Sequence, residues 1–362
     1  MKKILILANS SGGLYDFRNE LVKRLLERYE VAASLPDTVK TDLLEQEGVK
    51  IIHTPINRRG VNPREDWKLY RAYRSLLAEY RPDVVLTYTI KPNVYGGYAC
   101  ARLGIPYITT VTGLGSAFEK TGALLELVKA LYRKGLSKAA CVFFQNRENR
   151  ELFHSYGLVS GRDALVSGSG VDLSVWQPMP YPQSTEITNF MYVGRIMKEK
   201  GIEEFLAAAE ALHGEKVTFS LAGYCDEDWQ KILDEKERGG VILQLGFHTD
   251  MHELYEKCSA VVMPTYHEGM SNVLCEASAC ARPVIASNIS GCREIFEDGV
   301  TGYGFAPRSA DALKEALKKF LALPVSTRAA MGRSARDKME REFDRRKVAA
   351  AYMAEIERAL GE

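Results

Sequence analysis

Short runs rich in Val, Ile, Leu and Thr alternate with helix-period segments along most of this chain, and one proline-dense stretch divides the alternation in two. A strand that returns after each helix pairs in parallel, because the crossover fills the connection. Parallel strands are covered on both faces, so they read as apolar runs rather than as an in–out alternation. In the first half the pattern predicts strands at 3–8, 30–36, 50–55, 84–89, 106–112, 141–145 and 164–167. Helical patterns lie at 14–27, 38–47, 63–80, 93–103, 123–138 and 147–156. Residues 176–182 then hold three prolines in five positions, which excludes helix and a central strand. The alternation restarts with strands at 189–193, 218–222, 241–245, 260–263 and 284–287 and helices at 202–213, 228–238, 250–257, 272–280, 311–323 and 327–343. The expected fold class is α/β, with two doubly wound, Rossmann-like parallel-sheet domains facing a cleft. The expected boundaries are 1–172, a linker at 173–187, 188–343, and a last amphipathic segment at 344–362 packing back on the first domain.

Composition narrows the function. The 362 residues carry 48 Lys plus Arg against 47 Asp plus Glu, so no global field favours nucleic acid. The balance hides an asymmetry. Residues 57–102 hold nine Lys/Arg and four Asp/Glu, whereas 197–257 hold seven and fourteen. The basic face of 57–102 and the amphipathic segment 123–138, with Leu124, Val128, Leu131 and Tyr132 on one side, suit peripheral contact with an anionic membrane; a surface helix packed on its own sheet reads the same way. Seven cysteines with no CxxC point to a reducing compartment. The apolar start at 1–8 is too short for a signal peptide and reads as a buried strand. The expected location is cytoplasmic, at or near the inner face of the plasma membrane.

The chemistry gathers around Glu268 and Glu276, eight positions apart. Glu268 falls in the loop after an apolar strand, and Glu276 falls one to two turns into the next helix. Ser271 or Asn272 is a natural N-cap, and amides near Gly269, Met270, Ser271 and Asn272 would then face a phosphate. A solvated loop with a helix-face Glu gives the same pattern. Gly194, Arg195 and Lys200 mark the first strand-to-helix turn of the second domain, where paired cations suit a diphosphate. Gly13 lies in the matching turn of the first domain, which is also the pattern of a plain tight turn. Gly246 and Phe247 follow a strand where a base would stack, though Phe247 also suits a core. His267 reads as structural. Asp226-Glu227-Asp228 spells D-x-D, but capping of the helix near Trp229 fits better than a metal site.

With Gly194-Arg195, Lys200-Gly201, Glu268-(x7)-Glu276, Arg282-Pro283 and the Gly299-to-Gly302 turn in hand, the chain resembles family 4 of the retaining glycosyltransferases, which have the GT-B fold. The resemblance covers essentially the whole chain. Tyr15-Asp16-Phe17-Arg18, Lys91-Pro92-Asn93 and Thr112-Gly113-Leu114-Gly115-Ser116 look like a bacterial subgroup building surface polysaccharides and lipid-linked oligosaccharides, such as N-acetylgalactosaminyltransferases. The resemblance implies a metal-independent hexosyltransferase that moves a HexNAc or hexose from a UDP-sugar to a lipid-linked saccharide, with no cofactor. Arg195 and Lys200 would neutralise the donor diphosphate, Glu276 would bind ribose, and Glu268 would bind the transferred sugar. Gly13 would approach the diphosphate. Many relatives carry a histidine where this chain has Thr112-Gly113, so the backbone at Gly113 and Gly115 or the Thr112 hydroxyl would face the sugar instead. A UDP-sugar epimerase of the same fold and a non-catalytic nucleotide-sugar-binding subunit are the alternatives.

Overall fold

The computed structural model describes residues 1–57, 62–113, 118, 122–182, 187–225 and 228–362. Gly115, with Leu114 and Ser116, and the acidic pair Asp226 and Glu227 lie outside them. The chain forms two compact units. One holds Met1–Gly170 with Arg345–Glu362, and the other holds Val171–Asp344.

The first unit alternates β1 (Lys3–Leu7), α1 (Ser11–Leu26), β2 (Glu30–Leu35), α2 (Thr41–Gln46), β3 (Lys50–His53), α3 (Pro63–Tyr80), β4 (Val84–Tyr88), α4 (Gly97–Leu103), β5 (Tyr107–Val111), α5 (Ala123–Leu136), β6 (Cys141–Phe144), α6 (Arg147–Ser155) and β7 (Asp163–Leu165). Its seven strands run in the order β3-β2-β1-β4-β5-β6-β7, every pairing parallel. The central strands are apolar because both faces are covered: Val84 to Tyr88 are all buried. The 93–103 helix expected from the pattern is split into a π-helical turn, Pro92–Gly96, and α4. In α5, Tyr132 and Leu136 are buried among Val111, Val142, Phe144 and Phe153, so its apolar side packs on its own sheet. The last helix, α13 (Arg345–Leu360), belongs to this unit. It buries Val348, Tyr352 and Ile356 against the cluster holding Ile4, Val84 and Ile108. Each such side chain contributes about 1.5–3 kcal/mol. The Tyr352 hydroxyl lies 2.7 Å from Thr110 Oγ1, and Arg162 forks onto Glu355 at 2.8 and 3.0 Å.

The second unit alternates β8 (Thr188–Val193), α7 (Ile202–Ala211), β9 (Val217–Ala222), α8 (Gln230–Arg238), β10 (Leu243–Gly246), α9 (His252–Lys257), β11 (Ala260–Met263), α10 (Asn272–Ala279), β12 (Val284–Ser287) and β13 (Gly302–Phe305), followed by α11 (Ala310–Leu321) and α12 (Val325–Lys338). The strand order is β10-β9-β8-β11-β12-β13, again parallel. The strand β13 is absent from the sequence pattern. The helix α8 starts at Gln230 behind Trp229, and the capping expected of Asp226-Glu227-Asp228 falls largely on residues outside the described ones. The proline-dense segment is bonded into this unit: Met179 N–H donates to the Cys280 carbonyl at 3.3 Å, and Arg282 donates to the Pro180 carbonyl at 2.8 Å. Among the described residues no helix is long and apolar enough to cross a membrane.

Candidate active site

In the second sheet the chain places β9 on one side of β8 and β11 on the other. The connections leaving β8 and β11 therefore diverge, and their carboxyl ends frame the crevice where open α/β sheets bind ligands. Both loops carry candidate residues. The β8 loop runs through Gly194 and Arg195 to a 3₁₀ turn, Lys198–Lys200. The β11 loop runs from Pro264 to Ser271, the N-cap of α10.

The two loops are locked together by backbone. Gly201 has φ 74°, and a Cβ there would lie 2.0 Å from the Pro264 carbonyl oxygen, so only glycine fits. The Tyr266 amide donates to the Glu199 carbonyl at 2.9 Å. Across the junction, Lys200 Nζ donates to Glu268 Oε1 at 2.5 Å, with both side chains mostly buried. Two residues 68 positions apart thus form one cation–carboxylate pair. Such a charge-assisted bond is among the stronger ones available to a protein. Arg195 lies on the same β8 loop, and its carbonyl accepts the buried Tyr192 hydroxyl at 2.7 Å. Burial, with the nearby Glu268 carboxylate, pushes the Tyr192 hydroxyl far up, so it stays a neutral donor. Burial likewise holds the Cys292 thiol well above its usual value, with Glu268 adding to the rise. That thiol is not a nucleophile at neutral pH.

On the other side the Glu268 loop rests against Gly291, φ 84°, where a Cβ would come 2.6 Å from the Glu268 carbonyl oxygen. This contact corrects one expectation. The Ser271 amide donates to the Gly291 carbonyl at 2.9 Å, so it is not available to a phosphate. The Ser271 side chain caps α10 by accepting from the Leu274 amide. Among the described residues no protein acceptor meets the amides of Met270, Asn272 and Val273 at the positive end of α10, a geometry that favours negative charge. Gly269, Met270 and Asn272 are half-buried around it. Glu276 lies in the second turn of α10, where the buried Tyr255 hydroxyl donates to its Oε2 at 3.4 Å. Burial first, and then the Glu276 charge, keeps that hydroxyl protonated.

Along the same carboxyl edge, Gly194 N–H donates to the Ala222 carbonyl and Gly223 N–H to the Gly246 carbonyl. Gly246 and Phe247 therefore continue the row from β8 through β9 to β10. Phe247 is 65% exposed rather than core, and meets the exposed Tyr224 ring edge-on at 5.9 Å. Tyr224 was not singled out in the sequence, nor was Tyr266, whose hydroxyl reaches Glu204. His267 is exposed.

The remaining candidates belong to the first unit. Thr112 and Gly113 follow the carboxyl end of β5, half-buried, with Gly113 at φ 152°. Gly13 lies in the first turn of α1, but its amide is taken: it donates to the Ser10 hydroxyl at 3.2 Å. The Ser11 amide donates to Asp37 Oδ1 at 3.1 Å. The positive end of α1 thus already holds a carboxylate from its own unit. Among the described residues no group of three or more His, Cys, Asp and Glu side chains is placed to hold a metal ion.

Residues 3–146 match the family described as glycosyl transferase 4-like, and residues 183–338 match glycosyl transferases group 1. A curated relative from Campylobacter jejuni, an N,N'-diacetylbacillosaminyl-diphospho-undecaprenol alpha-1,3-N-acetylgalactosaminyltransferase, is 27% identical over 88% of this chain and 89% of its own. A glycogen synthase from Mycobacterium tuberculosis is 29% identical over 75% of this chain and 68% of its own. The crystal structure of Anabaena HepE in complex with UDP and glucose superposes with a TM-score of 0.77 at 20% identity, covering 98% of this chain and 100% of that one. Together the two family matches span most of the chain, and it belongs to these glycosyl transferases: an enzyme of the GT-B fold built from two Rossmann-like units.

Proposed function

We propose that this glycosyltransferase moves a HexNAc or hexose from a UDP-sugar to a lipid-linked saccharide, with retention at the anomeric carbon and without a metal, in bacterial glycan or polysaccharide synthesis. The observation that carries the reading is the Lys200–Glu268 pair at the β8/β11 crevice, beside Arg195 and the positive end of α10. A UDP-sugar has three features to satisfy: a diphosphate, a ribose and a sugar ring. Lys200, Arg195 and the amides of Met270, Asn272 and Val273 offer positive charge and donors to the first. Glu276 accepts from ribose hydroxyls, and Glu268 accepts from hydroxyls of the sugar. Phe247 and Tyr224 offer exposed rings beside the same edge for the base.

Chemistry then consists of breaking the bond between the anomeric carbon and the diphosphate oxygen while the acceptor oxygen bonds to the same face of that carbon. The acceptor proton passes to the leaving diphosphate oxygen, so no side-chain base is required. Charge grows on the leaving group, and fixed cations that meet it there supply the main catalytic term.

The names of the relatives support donor and acceptor classes. HepE was crystallised with UDP, and the Campylobacter relative is named for a diphospho-undecaprenol substrate. A membrane-borne acceptor agrees with the exposed side of α3, where Arg64, Lys68, Arg71 and Arg74 surround Trp67, itself 58% exposed and under the Arg71 guanidinium. We place the enzyme at the cytoplasmic membrane surface on that ground. The test is incubation with a panel of UDP-sugars, with and without a polyprenyl-diphosphate-linked saccharide. Glycan extension supports the reading. Conversion of a UDP-sugar to its epimer without an acceptor supports an epimerase, and binding without any turnover supports a non-catalytic subunit.

A further inference from the structure

A loop that carries a reacting group has to be held by something other than that group, and the loop before Glu268 is held twice. The first hold is the backbone junction with the β8 loop. The second is a side chain. Tyr266, two residues before Glu268, directs its hydroxyl to both carboxylate oxygens of Glu204, at 2.8 and 2.9 Å. Glu204 sits in the first turn of α7, 7% exposed, where the amides of that turn favour a negative charge. The Arg308 guanidinium lies 4.6 Å from the centroid of the Tyr266 ring. Burial and the Glu204 carboxylate push the Tyr266 hydroxyl up, so it remains a donor across the working pH range.

Glu204 has no place in the donor chemistry described above. Removing a carboxylate from water is costly unless it is compensated. The compensation here goes to the residue that orients Glu268. The turn that supplies Lys200 also accepts the Tyr266 amide through Glu199, so one residue ties both members of the Lys200–Glu268 pair.

We infer that Tyr266 and Glu204 are positioning residues that fix Glu268 against Lys200, an inference that rests on reading that pair as the sugar- and phosphate-facing groups. Tyr266→Phe deletes only the hydroxyl and keeps the ring under Arg308. Glu204→Gln keeps an acceptor for that hydroxyl and so acts as the conservative rescue. Glu204→Leu removes the acceptor and gives a second route to the same state should Tyr266→Phe not fold.

The experiment measures kcat, KM for the UDP-sugar and Kd for UDP in these variants, and repeats Tyr266→Phe in a Glu268→Gln background. A small displacement of a reacting group reaches about 100-fold in rate, so kcat should fall by about 10-fold or more in Tyr266→Phe and Glu204→Leu. UDP affinity should stay within about two-fold, and Glu204→Gln should keep most of the activity. In the Glu268→Gln background the hydroxyl deletion should add almost nothing, because its target is already gone. An equal loss of UDP affinity and turnover, or a fully additive loss in that background, overturns the inference. If the wild-type chain binds no UDP, the donor reading fails and this inference with it. UDP binding together with an additive result defeats the inference alone.

Discussion

The two units start alike, with a strand, a glycine-bearing turn and a helix, but their turns differ in the charged groups they bring to the sheet edge. In the first unit the positive end of α1 is largely met by its own unit: Asp37 takes the Ser11 amide and Ser10 takes the Gly13 amide, while the Gly12 amide has no protein acceptor among the described residues. In the second unit the turn after β8 contributes Arg195 and Lys200, and α10 leaves amides without protein acceptors. A glycine turn before a helix is therefore not by itself a phosphate seat. Which side chains of the chain itself reach such a turn bears on the matter, and that is visible only in three dimensions. On the proposed reading the second unit holds the diphosphate, and the expected effects rank accordingly.

The largest effect belongs to the cations. Lys200→Ala and Arg195→Ala should each lower kcat/KM by the equivalent of about 2–4 kcal/mol, measured by steady-state kinetics. EDTA should leave the wild-type rate unchanged. A rate lost in EDTA and restored by manganese would hand the leaving charge to a metal and return attention to Asp226-Glu227-Asp228.

Next come the carboxylates. Glu276→Ala should weaken UDP binding by about 1–2 kcal/mol through lost ribose bonds, read by calorimetry. Glu268→Ala should leave UDP affinity nearly intact and lower turnover. Equal losses of UDP affinity would erase the division of labour between loop and helix.

The first unit responds differently. Asp37→Ala uncovers the amide and hydroxyl of Ser11, so it should cost stability of about 1–2 kcal/mol and leave UDP affinity unchanged. Thermal melting checks the first part and titration the second. A UDP affinity that rises in Asp37→Ala would mean that this helix end also meets the diphosphate.

The smallest effect concerns His252, which stacks on Trp176 and donates toward the Val175 carbonyl, tying the proline segment to the second unit. Its bond to Asp250 raises its pKa above the ordinary histidine value. The sign follows: the stabilisation is complete below the unfolded value near pH 6.5 and is lost as pH rises through the folded value. Because the ring is 37% exposed, the effect stays under about 1 kcal/mol. Melting curves of wild type and His252→Gln should converge as pH rises. A gap that widens instead would show that the neutral ring, by stacking, carries the contact.

Much of the fold was legible because both sheets are parallel and buried, which prints each strand as an apolar run. The strands at 260–263 and 284–287 and the helix at 63–80 fall where the pattern places them. The strand β13 was hidden because Gly302 and Gly304 replace the usual β-branched residues. A Cβ at Gly302 would strike the Val284 carbonyl oxygen at 2.0 Å, so the close approach of β12 demands glycine. Glu268, Arg195 and Lys200 fall on the loops, and Glu276 on the helix, where the spacing places them. The Lys200–Glu268 bond, the Tyr266–Glu204 bond and the Asp37 contact were not legible. Each joins residues from separate crossovers, 68, 62 and 26 positions apart, and local pattern says nothing about which loops meet at a sheet edge.

The most direct measurement is a calorimetric titration of UDP in the presence of EDTA into wild type, Lys200→Ala and Asp37→Ala. The second-unit seat predicts metal-free binding by the wild type, about 10-fold or greater weakening in Lys200→Ala, and no change in Asp37→Ala. Binding that requires a metal, or that responds to Asp37 and ignores Lys200, would contradict it.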